Sequence, residues 1–291
     1  MSEPGGEAAL TPLQTLYTDQ RGTAVALPGA LNALYGRFTL PLRAEGRPSV
    51  IGNFVSSLDG VVALNTPGTI TGGGEISGFN RHDRMVMGIL RAISGAIVVG
   101  AGTLRAAPKH LWLAEFIYPP LAPAYAKLRA SLGLRESPLT VIVSARGDLD
   151  LTLPVFNTPA APALIVTTAS GALRLGVRAL PPSTTLMTVA SERRVTAASV
   201  LEAIKNQRLC DVILNEGGPS LMSDFLAEGL LDELFLTLAP QIAGRSAANP
   251  RPGFVDGYLF APDHPVWGTL LDLRRGGSHL FLRYGFAEAQ G

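Results

Sequence analysis

The sequence predicts an α/β fold: a mainly parallel central sheet with helices on both faces and antiparallel strands at one edge. Three observations carry this. Apolar runs alternate with segments of helical period from residue 47 to about 228. Runs such as Gly95-Ala96-Ile97-Val98-Val99 show no polar alternation, as in strands buried on both faces. After residue 233, strand patterns follow one another without long helices between them.

Residues 1–46 read as an extension packed on a single main domain, 47–291, because their apolar residues are too few for a core. In the extension, Leu10, Leu13, Leu16 and Tyr17 suggest a short periodic helix, and Pro28 to Tyr35 a second. Ser49 to Ser56 reads as the first strand of the domain. A loop rich in Gly, Thr and Asn follows, then a helix from Ser77 to Ile93 with Met85, Val86, Ile89, Leu90 and Ile93 on one face. The strand 95–99 ends at Gly100, and a helix is expected near Ala124 to Leu132. Strands follow at 140–143, 163–167 and 185–189. A helix over 196–207 leads to the strand Val212-Ile213-Leu214 and a further helix, Ser220 to Glu228. The remaining strands are 234–238, 268–273 and 279–286.

Composition bounds the function. The chain has 291 residues, 47% hydrophobic and 16% charged, enough to bury a sizeable core. Lys+Arg number 24 and Asp+Glu 23, so nothing in the charge favours nucleic acid or an anionic membrane as partner. The start of the chain has no basic region followed by an apolar run, and no stretch of 18 apolar residues occurs; a soluble, cytoplasmic protein is expected. One cysteine, Cys210, reads as a structural thiol and excludes an intramolecular disulfide. His82, His110, His264 and His279 form no ligand spacing, so no metal is expected.

The sharpest local signals are two glycine turns, Gly100-Ala101-Gly102-Thr103 and Glu216-Gly217-Gly218-Pro219. Each follows a buried strand and opens a helix. Glycine lets a ligand approach the backbone closely, the free N–H groups favour phosphate, and Pro219 suits a first helical position. Either turn alone is as well explained as a tight turn; two at the carboxyl ends of strands in one domain favour a ligand. They are not a Rossmann fingerprint, since Arg105 stands where the third glycine belongs, and no GxxxxGK[ST] loop is present.

Ser57-Leu58-Asp59-Gly60, the segment Leu90-Arg91 through Thr103, Glu216 through Leu221, and Asp232 through Pro240 together resemble the reductase domain of bacterial riboflavin biosynthesis. The resemblance runs over about residues 47–286 and implies a dihydrofolate-reductase-like fold. It implies reduction of the ribosylamino group of 5-amino-6-(5-phosphoribosylamino)uracil to a ribitylamino group, with NADPH as cofactor, in a homodimer. The N-terminal arm is similar to a stand-alone pyrimidine reductase branch. In many bacteria the domain follows a zinc deaminase, whose H-x-E…P-C-x-x-C pattern is absent here, so reduction alone is expected.

By that resemblance Gly100, Gly102, Thr103, Gly217, Gly218, Ser220 and Leu221 contact the dinucleotide, with Ser144 and Val62 as further candidates. Glu216 and Arg91 match substrate contacts, and Glu216 is also a candidate catalytic group; it would otherwise serve as a charge offsetting a helix dipole. Asp59 is a candidate catalytic acid or the anchor of a turn. Arg84, seven residues before Arg91, is a candidate for the substrate phosphate together with Arg81, or part of a solvated face. The sequence departs from the family pattern at Ala107, where an acid is usual, in Pro108-Lys109-His110-Leu111-Trp112, and in the loop before Ile70. These changes fall on the substrate side. They keep two alternatives open: a dihydrofolate or dihydropterin reductase, for which Asp83 is the helix acid, and a non-catalytic NADP-binding protein.

Overall fold

A computed structural model describes residues 10–19, 21–41, 46–64, 73–176, 180–191 and 193–286. The start of the N-terminal extension, 1–9, and the loop 65–72 before the first long helix lie outside the described residues. The arm contributes β1 (Gln14–Thr18), β2 (Thr23–Val25), α1 (Gly29–Tyr35) and β3 (Phe38–Leu40). The alternating region follows as β4 (Ser49–Ser56), α2 (Gly73–Ser77), α3 (Arg81–Ile93), β5 (Ala96–Gly100), α4 (Ala101–Ala106), α5 (Ala114–Ile117), α6 (Ala122–Ser131) and β6 (Leu139–Val143). It continues with α7 (Pro154–Asn157), β7 (Ala163–Thr168), α8 (Ala169–Leu175), β8 (Thr184–Val189), α9 (Ala197–Gln207), β9 (Val212–Asn215) and α10 (Pro219–Ala227). Last come β10 (Glu233–Leu238), β11 (Thr269–Gly276) and β12 (His279–Gly285).

The main sheet has the order β1-β11-β12-β10-β4-β9-β5-β6-β7-β8. The seven strands from β10 to β8 pair in parallel, and β12, β11 and β1 continue the sheet antiparallel at one edge. Burial on both faces follows from the strict two-residue alternation of the pleat. In β5, Ile97 and Val99 enter the core under α3 and α6, while Ala96 and Val98 face the core built with α9 and α10. β9 divides the same way, with Leu214 on the first side and Ile213 on the second. No helix among the described residues is long and apolar enough to cross a membrane.

Two sequence expectations change. The helix read from Ser77 begins instead at Arg81, because Gly78 and Phe79 take positive φ and the Asn80 side chain caps the new start by accepting from the Asp83 N–H at 3.1 Å. The periodic piece around Leu16 is a strand, β1, not a helix. The open edge of β11 supplies its hydrogen-bond partners, and Arg274 adds a bond to Thr15 at 2.9 Å. Two buried arginines fasten the arm to the C-terminal hairpin. Arg274 donates to the carbonyls of Tyr35 and Arg37 and lies 4.2 Å from the Tyr35 ring centroid; Arg283, paired with Glu233, donates to Thr39. Cys210 packs against Gly95, and burial pushes its thiol up to about 11, so it is protonated at neutral pH.

Candidate active site

The topology brings the two glycine turns together. β9 inserts between β4 and β5, so both turns leave neighbouring strands at the carboxyl edge of the sheet. The Glu216 N–H donates to the Val98 carbonyl at 2.9 Å, joining the second turn to the strand that carries the first. A Cβ built on Gly218 would lie 3.6 Å from Thr103 Oγ1, so the two turns face each other across a short gap. Gly100 and Gly102 have no atom within 4 Å of a Cβ position; their backbone borders open space.

The four glycines have different reasons to be glycine. At Gly217 a Cβ would overlap the Leu221 side chain and sit 2.9 Å from Asn215 Oδ1, so this glycine serves packing. Gly100, Gly102 and Gly218 have room for a side chain within the fold, and what they leave free is access to the backbone. The first turn of α10 has no side-chain cap, so its N–H groups remain for an anion. This open, uncapped backbone fits the phosphates of a dinucleotide. Ser220 is turned elsewhere: its hydroxyl donates to Asp256 at 3.3 Å. The Leu221 side chain is buried beneath the turn. Ser144 directly follows β6, the neighbour of β5, and its carbonyl accepts from the Thr167 hydroxyl at 2.6 Å. Val62 lies buried past β4, with its N–H on the Pro252 carbonyl at 3.1 Å.

Arg91 and Glu216, 125 residues apart, form a buried ion pair whose side chains are 3% and 7% exposed. Arg91 Nη2 and Nε reach one carboxylate oxygen at 2.8 and 3.1 Å. Asn53 on β4 donates to the other at 3.3 Å. The remaining Arg91 nitrogen donates to the carbonyls of Leu111 and Leu113, tying the segment after α4 to the pair. Arg129 in turn caps the end of α3 through the carbonyls of Arg91, Ala92 and Ser94. Sequence reasoning missed Asn53 and Arg129; a polar residue inside the apolar strand 49–56 was the available sign for the first.

Arg84 does not join Arg91. Its guanidinium lies 5.3 Å from the Phe79 ring centroid, and Arg81 reaches the Tyr118 hydroxyl at 3.3 Å. In this structure Arg84 and Arg81 are therefore engaged by aromatic side chains and not by the Arg91–Glu216 pair. Asp59 accepts from Ser57 at 2.6 Å and from the N–H groups of Ala243 and Gly244 at 3.0 and 2.8 Å. These bonds, the Ser57 hydroxyl first, hold its carboxyl well below the usual carboxylate range and make Asp59 a clamp between the turn after β4 and the loop after β10. Asp83 is buried, and desolvation raises its pKa against hydrogen bonds from Thr237 and Ser77; Glu216 adds to the rise.

His110 follows α4 and sits edge-to-face between Trp112 and Phe116, ring centroids 5.0 and 4.9 Å away. Burial, and then the Arg91 charge, lower its pKa from 6.5 to about 3. The folded state therefore binds its proton more weakly than the unfolded state does. The stabilisation from this group is present above pH 6.5 and is lost as pH falls from 6.5 toward 3. The melting temperature of wild type relative to His110→Phe is expected to drop steadily over that window. A pH-independent difference between them would contradict it. Burial also raises Asp83 and Glu233, which act in the opposite sense but are common to both proteins and cancel in the difference.

Comparison with known proteins agrees with this geometry. Residues 48–260 match the RibD C-terminal domain. The chain is 29% identical over 241 residues to a 2,5-diamino-6-ribosylamino-4(3H)-pyrimidinone 5′-phosphate reductase of Methanothermobacter thermautotrophicus, covering 82% of this chain and 98% of that protein. It is 23% identical over 200 residues to the riboflavin biosynthesis protein RibD of Aquifex aeolicus, covering 69% of this chain; it spans about half, 48%, of that relative's length. The crystal structure of a pyrimidine reductase-like protein from Corynebacterium diphtheriae superposes with a TM-score of 0.63 at 22% identity, over 89% of this chain and 98% of that one. With the match extending over most of the sequence and the expected α/β sheet in place, the chain belongs to the RibD C-terminal domain family.

Proposed function

We propose that this protein is an NADPH-dependent reductase acting on a phosphorylated ribosylaminopyrimidine, converting the ribosylamino group to ribitylamino. The observation that carries this is the pair of facing glycine turns with open backbone at the carboxyl edge of β5 and β9. A bound nicotinamide would supply the hydride. The chain's own residues position the reactants. Gly100, Gly102, Thr103 and Gly218 would border the phosphates with Ser144 as a further contact, Val62 would line the nicotinamide cleft, and the Arg91–Glu216 pair holds a polar wall beside the second turn. A homodimer, which comes from the family resemblance, and a cytoplasmic location are part of the proposal.

The test is NADPH oxidation followed at 340 nm with three substrates: 5-amino-6-(5-phosphoribosylamino)uracil, its 2,5-diamino-4(3H)-pyrimidinone counterpart, and dihydrofolate. Turnover is expected with one of the first two and not with dihydrofolate. Turnover of dihydrofolate alone would move the assignment to the pteridine class, for which buried Asp83 beside Thr237 is the structural argument. NADPH binding without turnover of any of the three would identify a non-catalytic binder.

A further inference from the structure

The antiparallel end of the sheet has one well-covered face. On that side Phe281 meets His82, Arg283 reaches Thr39, Arg274 reaches Tyr35, and Thr237 meets Asp83. The pleat sends every second residue the other way, and the register sets those residues in rows. Leu236 of β10 stands opposite Leu282 of β12, Leu282 opposite Leu273 of β11, and Leu273 opposite Tyr17 of β1. The next row is Leu238, Leu280, Arg275 and Gln14, and on the other side of the first Tyr284 stands opposite Leu270. The leucines are half-buried, and Tyr17 is 45% exposed. Among the described residues, none of these side chains packs into a hydrophobic core. The core on this side of the sheet stops at Phe54, the register partner of Leu236, which carries Phe254 at 5.0 Å. Trp267, 82% exposed, directly precedes Gly268, which abuts Tyr284 at the margin of the rows.

We propose that this leucine face seats a second copy of the chain, sheet against sheet. It gives the homodimer of the reading above its interface, and it rests on that reading for the expectation of a dimer. Size is the first argument. Four strands about 4.8 Å apart, crossed by rows about 7 Å apart, make a patch on the order of 400 Å². An apolar patch of that extent marks an interaction site. A tryptophan at its margin adds about 150–250 Å². Together these reach the roughly 600–1,000 Å² per partner of a stable complex. Chemistry is the second argument. The rows hold no carboxylate, and their one cation, Arg275, is engaged at the rim by Gln14 at 2.7 Å. A strongly charged partner finds little to pair with there. A second copy presents a face of the same pleat, size and apolar character. Two such faces pack about 10 Å apart with side chains interdigitating, and a two-fold axis covers both at once.

The experiment is sedimentation equilibrium on the full chain over a dilution series. Leu282→Glu changes the centre of the face and Tyr17→Glu its margin. Leu173→Glu, at an 83% exposed position on α8 toward the opposite end of the sheet, is the control. Wild type and Leu173→Glu are expected at twice the 30.5 kDa chain mass. Leu282→Glu should raise the dimer dissociation constant about 100-fold or more and Tyr17→Glu at least about 10-fold, because each sets like charges against one another. Melting curves establish that the variants are folded. Tyr17, exposed on an edge strand, carries the test if Leu282→Glu does not fold. A monomeric wild type overturns the proposal, and so does a dimer that both face variants leave intact. A monomeric wild type that floats with phosphatidylcholine vesicles also overturns it and assigns the face to a lipid surface. Turnover of a ribosylaminopyrimidine phosphate, assayed alongside, separates this proposal from the reductase reading. A monomer that turns over substrate overturns the interface alone. A dimer that the face variants disrupt, but that turns over no substrate, removes the reductase chemistry and leaves the interface.

Discussion

Arg91→Ala is expected to lower stability by about 3–5 kcal/mol, because among the described residues it leaves the buried Glu216 carboxylate with Asn53 as its one side-chain partner. The carbonyls of Leu111 and Leu113 lose their donor in the same step. For a chain of this size the melting temperature should fall on the order of 10 °C. Glu216→Leu should be comparably damaging, since it buries an unpaired guanidinium. The double variant Arg91→Met/Glu216→Leu should recover much of the lost stability, as apolar replacements of buried pairs often do. It should not recover NADPH oxidation if the pair also forms the wall of the substrate site. Thermal melts of the three variants, read as a double-mutant cycle, give the coupling directly. An Arg91→Ala protein within about 1 kcal/mol of wild type would show that the pair is not the structural centre of the site.

Gly218→Val is expected to abolish NADPH binding with little effect on folding. Its φ of −71° and ψ of 178° are open to any residue, and a Cβ meets Thr103 Oγ1 at an ordinary 3.6 Å. A valine side chain would, however, stand in the gap between the two turns, where phosphates need the backbone. A weakening of about 100-fold or more, roughly 3 kcal/mol, is the expected size. Gly217→Ala gives the opposite pattern. Its Cβ would collide with Leu221 and crowd Asn215, whose Oδ1 accepts the Gly217 N–H at 2.8 Å, so the cost falls on the fold, about 1–3 kcal/mol. Fluorescence titration with NADPH and melting curves on both variants separate the two effects. Wild-type NADPH affinity in Gly218→Val would show that the dinucleotide does not pass between the turns.

Local pattern made most of the elements legible. Ser49 to Ser56 is strand β4 at both ends, and the apolar run before Gly100 is β5 within one residue. These segments are decided by their own periodicity and by glycine and proline at their ends, which act over a few residues. In the arm, α1 stands where Pro28 to Tyr35 predicts it, whereas the state of Gln14–Thr18 depends on β11, which lies more than 250 residues away and offers an open sheet edge. The helix start at Arg81 was misplaced because Asn80 caps it only once Gly78 and Phe79 turn the chain.

The sequence by itself determined the layered α/β architecture, the two glycine turns and, through the order of its motifs, the family. Tertiary structure alone decided what those residues face. Spacing along α3 put Arg84 and Arg91 on one side of a helix, but the insertion of β9 between β4 and β5 gave Arg91 to Glu216 and left Arg84 on Phe79. It also separated Gly217, required by Leu221, from Gly218, where a Cβ has room at 3.6 Å from Thr103 Oγ1, although the two are adjacent in sequence. Periodicity reports which side of an element is apolar. Which polar groups meet across the sheet depends on strand order, and strand order is fixed by the packing of the whole core.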